Sequence, residues 1–360
     1  MTTTAPTAFN RLLAPLVSPP IFDFWAAKLS PTLSWQRVLA RVVARRTEAE
    51  GAVTLELQAN RQFSGFAPGQ HVNVTAEVNG RSVTRSYSFT GIEAAKGRIS
   101  LTIKQVTGGK LSTQLCQHTE MGDVLELSAA FGDMALPAAP QPLLLLAAGS
   151  GITPMMSFVR ALAARGMPSS CTLIYWAKTR QEICFAAELK TLAAEHSNFT
   201  LHLALTRQQA AGAYEIAGRA SAELLNALAP ELQATATYAC GPSDFVQSLA
   251  GLVGERAYSF AAEAFTPAAR PMAATGTVRV TLAASQRVLE LPAGQPLLTA
   301  LEAQGITPPS GCRMGICNTC ACGKLSGTSQ NLNTGSTSFE PESALRICIS
   351  AATSDLVLDL

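Results

Sequence analysis

From Val38 to Leu136 apolar and polar residues alternate in short runs, such as Val72-Asn73-Val74 and Val83-Thr84-Arg85-Ser86-Tyr87. Period-two alternation marks strands with one buried face. Pro68-Gly69 and Asn79-Gly80 punctuate these runs, and Asn-Gly is the strongest short hairpin signal. The pattern predicts a β-barrel over residues 38–137. It changes after the proline-rich step Leu136–Pro142. Leu143–Ala148, Thr172–Trp176 and Thr200–Leu205 are continuous apolar runs separated by helix-length stretches. Strands buried on both faces read this way, so residues 141–264 are expected to form a parallel α/β sheet. Phe265–Gly276 is small, proline-bearing and aperiodic, which makes residues 265–276 a linker. Beyond it, Val278–Leu282 and Val288–Leu291 read as paired strands and Leu297–Ala303 as a helix, inside a domain over residues 277–360. Residues 1–37 stand outside these patterns. The fold class is multidomain, mixing α+β with α/β.

The 360 residues are 48% hydrophobic and 14% charged, enough to bury several cores. A net charge of +2 does not suggest a nucleic-acid binder. Nine cysteines without a framework of paired spacings argue against a secreted disulfide scaffold and for the reducing cytosol. Met1–Thr4 lacks the basic start of a signal peptide. No apolar stretch reaches the roughly 18 residues of a membrane span, so a cytoplasmic protein is expected.

Four of the cysteines are ordered. Cys312, Cys317 and Cys320 follow C-x4-C-x2-C, and Cys348 comes after 27 intervening residues. This is the plant-type spacing of a [2Fe–2S] cluster, a one-electron carrier. The intervening loop is rich in small residues, which lets backbone N–H groups turn toward the sulfurs. A zinc knuckle would favour paired C-x2–4-C units, which the distant fourth cysteine does not provide. Cys322, just beyond the loop, reads as a packing residue.

Other motifs fall at strand ends. In Arg85-Ser86-Tyr87-Ser88, alternation places Arg85 and Tyr87 on one side, a guanidinium fork for a pyrophosphate beside a flat ring. An ordinary strand with a surface arginine would look the same. Gly109-Lys110-Leu111-Ser112-Thr113 reads as a glycine turn opening a helix, with Ser112 near its cap and Lys110 beside a phosphate-sized site. A plain capped helix is the alternative. Gly149, Gly151, Thr153 and Pro154 follow an apolar strand and open a helix, where glycines let a diphosphate approach the backbone. The next strand ends at Lys178 and Arg180. Basic residues there suit a 2′-phosphate, where a carboxylate would mark NAD, so NADPH is expected and NADH is the alternative. A solvated basic loop is the competing reading. Cys240-Gly241-Pro242 closes a later strand, on the side where parallel sheets bind ligands. A buried structural cysteine would read identically.

In this order the motifs resemble the ferredoxin–NADP reductase superfamily with a plant-type ferredoxin domain fused at the C-terminus, as in reductases of the phthalate dioxygenase reductase type. The resemblance covers residues 38–360. It implies a flavin-binding barrel, a nucleotide-binding α/β domain and a β-grasp-like ferredoxin domain. Arg85, Ser86, Tyr87 and Ser88 would bind the flavin, FAD in preference to FMN, and Gly109–Thr113 its phosphates. The nucleotide site would comprise Gly149, Gly151, Thr153, Pro154, Lys178, Arg180, Cys240, Gly241 and Pro242. Glu263-Ala264-Phe265 resembles the segment that closes over the flavin, so Cys240, Ser88 and Glu263 are the expected catalytic residues and Phe265 a flavin contact. Electrons would pass from NADPH through flavin to the cluster.

Residues 1–37 carry Phe9, Phe22, Phe24, Trp25 and Trp35, and residues 1–46 hold six basic residues against Asp23, a net +5. That composition suits a membrane surface or an acidic partner. A strap packed back on the barrel is the alternative. The extension resembles bacterial reductases serving membrane acyl-lipid desaturases. The expected acceptor is therefore a di-iron acyl desaturase or related membrane oxygenase, with peripheral contact at the inner face of the membrane. The alternatives are a soluble Rieske-type oxygenase and a docked dehydrogenase.

Overall fold

The computed structural model describes residues 18–92, 97–229, 231–266 and 276–360. Most of the expected linker, residues 267–275, lies outside them, as do residues 1–17 with Phe9 and Arg11. Ahead of the first sheet runs a helix that alternation did not announce, α1 (Pro19–Leu29). Its two prolines occupy the first positions, where a missing N–H costs nothing. Asp23 anchors it, accepting hydrogen bonds from Ser34 Oγ at 2.9 Å and from the Trp35 N–H at 2.7 Å. Phe22 meets Trp35 edge-on at 5.0 Å between centroids. The aromatics of the extension thus divide. Phe22 and Trp35 pack inward, whereas Ile21, Phe24, Trp25 and Leu29 are 57%, 60%, 66% and 85% exposed.

The first sheet contains β1 (Val38–Ala49), β2 (Ala52–Ala59), β3 (His71–Val78), β4 (Arg81–Ser88), β5 (Arg98–Lys104) and, after the short helix α2 (Lys110–Thr113), β6 (Val124–Leu127). Its order is β4-β3-β6-β1-β2-β5, with every pairing antiparallel. The two edges meet where Phe89 bridges Leu101 and the Thr90 N–H donates to Ser100 O at 2.9 Å, which closes a barrel. Asn79 and Gly80 both have positive φ, 52° and 72°, as a two-residue hairpin requires. Val42, Leu55, Leu57, Val72, Val74, Ile99 and Leu101 fill the interior.

The second sheet is built from β7 (Leu143–Ala148), α3 (Ile152–Ala163), β8 (Cys171–Ala177), α4 (Ala186–Glu195), β9 (Phe199–Leu205), β10 (Glu215–Ala217), α5 (Ala222–Leu228), β11 (Ala236–Gly241), α6 (Ser243–Val253) and β12 (Ser259–Ala264). All strands are parallel, in the order β10-β9-β8-β7-β11-β12. The chain winds outward on one side of β7 and then returns to its other side as β11. The carboxyl ends of β7 and β11 therefore flank the switch point at which such sheets bind ligands. Barrel and sheet are locked together. The Gly69 N–H donates to Ser157 Oγ at 2.9 Å, and a Cβ on Gly69 would lie 2.3 Å from Met134 O, so the joint tolerates no side chain there.

The third unit contains β13 (Thr277–Leu282), β14 (Arg287–Pro292), α7 (Leu297–Ala303), β15 (Ala321–Asn331), β16 (Thr337–Ser338), β17 (Glu342–Arg346) and β18 (Ser350–Asp359). Its sheet runs β14-β13-β18-β15-β16, with β17 also on β15. Leu297, Leu298 and Leu301 of α7 pack on Val280, Leu356 and Leu358. Lys324 on β15 is buried, with Nζ donating to Ser329 Oγ at 3.1 Å and to Ser338 O at 3.0 Å and lying 3.0 Å from Glu342 Oε1. Removing the buried Lys324 leaves Ser329, Ser338 and the half-buried Glu342 without their partner. Lys324→Ala is expected to destabilise this unit by about 3 kcal/mol. Thermal melting followed at the cluster absorbance should show a midpoint lower by roughly 10 °C or more.

Candidate functional site

Strand β4 presents two faces. Its Arg85 and Tyr87 stand opposite Val74 and Val72 in register, and Ser86 and Ser88 opposite Asn73 and His71. Arg85 forms no ion pair with a carboxylate among the described residues; its Nη1 donates to Thr84 O at 2.7 Å, which leaves most of the guanidinium fork open. Burial lowers its pKa, and the neighbouring Arg313 charge lowers it further. Burial pushes the Tyr87 phenol far up, so it stays neutral. Ser88 is buried, and its Oγ has no hydrogen-bond partner among the described residues. An open guanidinium, a neutral phenol and an orphaned hydroxyl at one strand end form a donor set suited to a flavin with its pyrophosphate.

The glycine turn below opens a helix with Ser112 near its start. Gly109 is the N-cap of α2, and Ser112 is the third residue after it. Ser112 Oγ turns back and accepts the Val106 N–H at 3.1 Å, while the Gly109 N–H donates to Val106 O at 2.8 Å. A Cβ on Gly109 would lie 2.4 Å from Ser112 Oγ, so the glycine makes this closure possible. Leu111 is buried in the barrel core, Thr113 continues the helix, and Lys110 is exposed at its start.

At the switch point, Gly149–Gly151 form one 3-10 turn leading into α3, with Thr153 and Pro154 in its first turn. Thr153 Oγ1 donates to Ser150 O at 2.9 Å, which tightens the turn. Gly151 lies against the end of β11, where Cys240, Gly241 and Pro242 stand. Cys240 is wholly buried, and burial together with Glu263 pushes its thiol well above the usual range. At the end of β8, among the described residues, Lys178 has no ion-pair partner and the buried Thr179 Oγ1 has no hydrogen-bond partner. Arg180 differs from the sequence expectation. Its Nε and Nη2 grip the two Glu215 oxygens at 2.7 and 2.6 Å. Arg180 holds the Glu215 carboxyl down to about 2, and Glu215 raises Arg180 in turn.

The three expected catalytic residues come together through a fourth that the sequence reading did not single out. Ser88 is paired in register with His71, and Cys240 with Glu263. His71 Nε2 lies 2.9 Å from Glu263 Oε2, an ion-pair approach whose angle is not that of a hydrogen bond. Phe265 stands edge-on to the His71 ring at 6.0 Å. His71 thus spans barrel and sheet. A buried histidine in the alternating run after Pro68-Gly69-Gln70 was the signal available in the sequence.

The four cysteines converge. The Cys312 N–H donates to Cys317 Sγ at 3.2 Å, and the Met314 and Cys317 N–H groups donate to Cys312 Sγ at 3.3 and 3.4 Å. Side-chain contacts join Cys312 to Cys317 and to Cys348, and Cys320 to Cys348. Hydrogen bonds from Cys317 and Cys348 hold the Cys312 thiol far below its ordinary value. Among the described residues no three ligand side chains surround a single ion. The contacts run Cys317–Cys312–Cys348–Cys320, so the four sulfurs form one group, as the ligands of a single cluster must. Arg313 (φ 60°) and Asn318 (φ 54°) take left-handed backbone in the loop, and Arg313 Nη1 is held by Glu302 Oε2 at 2.8 Å. Cys322 faces the core of β15, and burial lifts its thiol to about 12.

Three family models match the chain in succession: an oxidoreductase FAD-binding domain over residues 42–135, an oxidoreductase NAD-binding domain over 145–250, and a 2Fe-2S iron-sulfur cluster binding domain over 280–353. An NADPH oxidoreductase of Mycobacterium tuberculosis is 34% identical, spanning 98% of this chain and 92% of its own length. A glycine betaine monooxygenase reductase subunit of Pseudomonas aeruginosa is 26% identical across 82% of this chain and 87% of its own. Phthalate dioxygenase reductase shares the fold, with a TM-score of 0.62 over 90% of this chain and 98% of that one at 23% identity.

Proposed function

Because this chain belongs to the ferredoxin–NADP reductase superfamily, in the branch with a fused C-terminal [2Fe–2S] domain, we propose that it draws electrons from NADPH to supply a membrane-bound di-iron acyl desaturase or a related membrane oxygenase. The enzyme is an NAD(P)H-dependent oxidoreductase of FAD and a [2Fe–2S] cluster. Bound flavin takes a nicotinamide's two electrons together and gives them up singly, which is the conversion these sites in series support. In this reading Arg85 and the Gly109–Thr113 turn neutralise and seat the flavin pyrophosphate, while Tyr87 and Ser88 fix its ring. Gly149, Gly151, Thr153 and Pro154 admit the nicotinamide nucleotide, Cys240, Gly241 and Pro242 floor its pocket, and Glu263 and Phe265 close the flavin side. Cys312, Cys317, Cys320 and Cys348 hold the cluster.

The membrane part of the proposal is carried by the exposed face of α1. Ile21, Phe24, Trp25 and Leu29 recur at helical spacing, with Lys28 beside them. Aromatic and apolar residues on one face with a cation at the edge suit a helix lying in a lipid interface. No described helix is long and apolar enough to cross a membrane. The test is acyl desaturation in host membranes lacking this protein, with purified protein and NADPH added back. Restoration by wild type, and its loss in a Phe24→Asp, Trp25→Asp variant that still reduces ferricyanide, is the expected result. Equal support of a soluble oxygenase by both forms would move the acceptor to the cytosol.

NADPH preference rests on Lys178, since Arg180 is engaged by Glu215. Lys178→Ala should raise the KM for NADPH about tenfold while leaving that for NADH within about twofold, as loss of one charge-assisted contact predicts. Glu215→Gln frees Arg180 and should lower the NADPH KM; steady-state kinetics with both nucleotides check the pair.

A further inference from the structure

The outward face of β3 carries one contact from each neighbouring unit. His71 meets Glu263 of the nucleotide sheet. Asn73, two residues along on the same face, meets the cluster loop, with Nδ2 donating to Thr319 Oγ1 at 3.1 Å. On the barrel side, Ser86 Oγ donates to Asn73 Oδ1. On the other side, Thr319 sits beside Cys317, close enough that one Cβ on Gly311 would touch both Thr319 Oγ1 and Cys317 Sγ. A row of hydrogen bonds therefore runs from Ser86 through Asn73 to Thr319, which stands next to a cluster ligand.

The joint is built to stay in place. Alternation makes Asn73 an outside position between two core valines, where any polar residue would serve if it were solvated, yet it is only 8% exposed. Its backbone is clamped on both sides by Ser128, through bonds of 3.0 Å to Ser128 Oγ and 3.0 Å from the Ser128 N–H. Gly311 closes over it. A Cβ there would lie 2.8 Å from Cys317 Sγ, 3.0 Å from Thr319 Oγ1 and 3.1 Å from Asn73 Nδ2.

From this joint we infer that Asn73 and Thr319 are positioning residues that seat the cluster loop on the flavin strand and set the rate of electron transfer from flavin to cluster. The inference rests on reading Arg85–Ser88 as the flavin site. Hydride from NADPH brings two electrons and one proton, leaving NADP+. Each passage through the joint oxidises the reduced flavin by one electron and reduces one oxidised cluster. Two passages restore the oxidised flavin, its proton goes to solvent, and the acceptor reoxidises the cluster between them. Asn73 holds the separation of the two centres through Thr319, whereas Thr319 also bears on the cluster's electronics through Cys317.

The experiment is anaerobic stopped-flow of the holoprotein with NADPH, following flavin reduction and cluster bleaching separately. Asn73→Ala should keep its flavin and its rate of flavin reduction and slow cluster bleaching at least tenfold, with the cluster midpoint potential unchanged. Amide hydrogen exchange of residues 311–320 should accelerate. Thr319→Val should slow the same step and lower the midpoint potential, and Thr319→Ser, which restores the hydroxyl, should recover both. If Asn73→Ala fails to retain flavin, Thr319→Val and Thr319→Ser, made on the ferredoxin side, carry the comparison. Wild-type bleaching in Asn73→Ala, or in Thr319→Val, overturns the inference. Loss of flavin in an Arg85→Ala control supports the underlying site reading. Full flavin binding there, with normal NADPH reduction, would fault that reading instead.

Discussion

Replacing Cys312 with alanine should abolish electron delivery to the physiological acceptor while NADPH-to-ferricyanide turnover, which needs the flavin alone, continues. Cys312 is the sulfur on which the site converges. It receives the Met314 and Cys317 N–H groups and contacts both Cys317 and Cys348. Those contacts hold its pKa below the ordinary thiol value. Changing an outer-shell partner of a metal costs about 10–100-fold in affinity, and losing a ligand costs more. Acceptor reduction should therefore fall by at least about a hundredfold, with the cluster absorbance gone. The barrel and nucleotide sheet have their own cores and a shared joint at Gly69 and Ser157, so the flavin half has no need of the missing cluster. Equal loss of both activities in a folded, flavin-loaded variant would mean that electrons do not pass through the two centres in series.

The periodicity of the chain was a good guide to its architecture because the three sheets bury their strands differently. Leu143–Ala148 is apolar without interruption because β7 lies at the centre of a parallel sheet covered on both faces. Val72-Asn73-Val74 alternates because one face of the barrel wall is interior. The cluster ligands were equally legible, since their chemistry fixes local spacing. Helix α1 was not, because prolines open it and its apolar residues face outward, so no buried stripe announces it.

What the sequence withheld are partnerships across long separations. Arg180 read as a free cation at a strand end, yet Glu215, on a three-residue strand, takes both of its donors. His71 and Asn73 looked like ordinary members of an alternating run. Their roles follow from Glu263 and Thr319, which only the folded arrangement brings to the same face of β3. Periodicity tells which face a residue occupies; what covers that face is a tertiary matter. The outward face of one strand thereby touches the nucleotide sheet through His71 and the ferredoxin unit through Asn73.

Gly151→Ala should cost the enzyme its pyridine nucleotide and little else. A Cβ at this position would lie 1.9 Å from Cys240 O, 2.3 Å from Cys240 C and 2.7 Å from Gly241 N. All three are backbone atoms of β11, a strand paired on both sides by β7 and β12, so they cannot step aside as a flexible side chain could. The turn over residues 149–151 must lift instead, and it is this turn that would let a diphosphate approach. A displacement near 1 Å in a positioned reactant can cost about a hundredfold in rate. We expect kcat/KM for NADPH to fall by about 10²–10³-fold, with flavin and cluster retained and cluster reduction by dithionite intact. Gly149→Ala is the informative control. Its φ of 55° is left-handed, but nothing lies within 4 Å of an added Cβ, so the cost is conformational, roughly 1–2 kcal/mol, without displacing the turn. If the two variants lose nucleotide affinity equally, backbone strain rather than closeness to Cys240 governs the loop. If Gly151→Ala alone loses it, the contact between the ends of β7 and β11 is what shapes the nucleotide site.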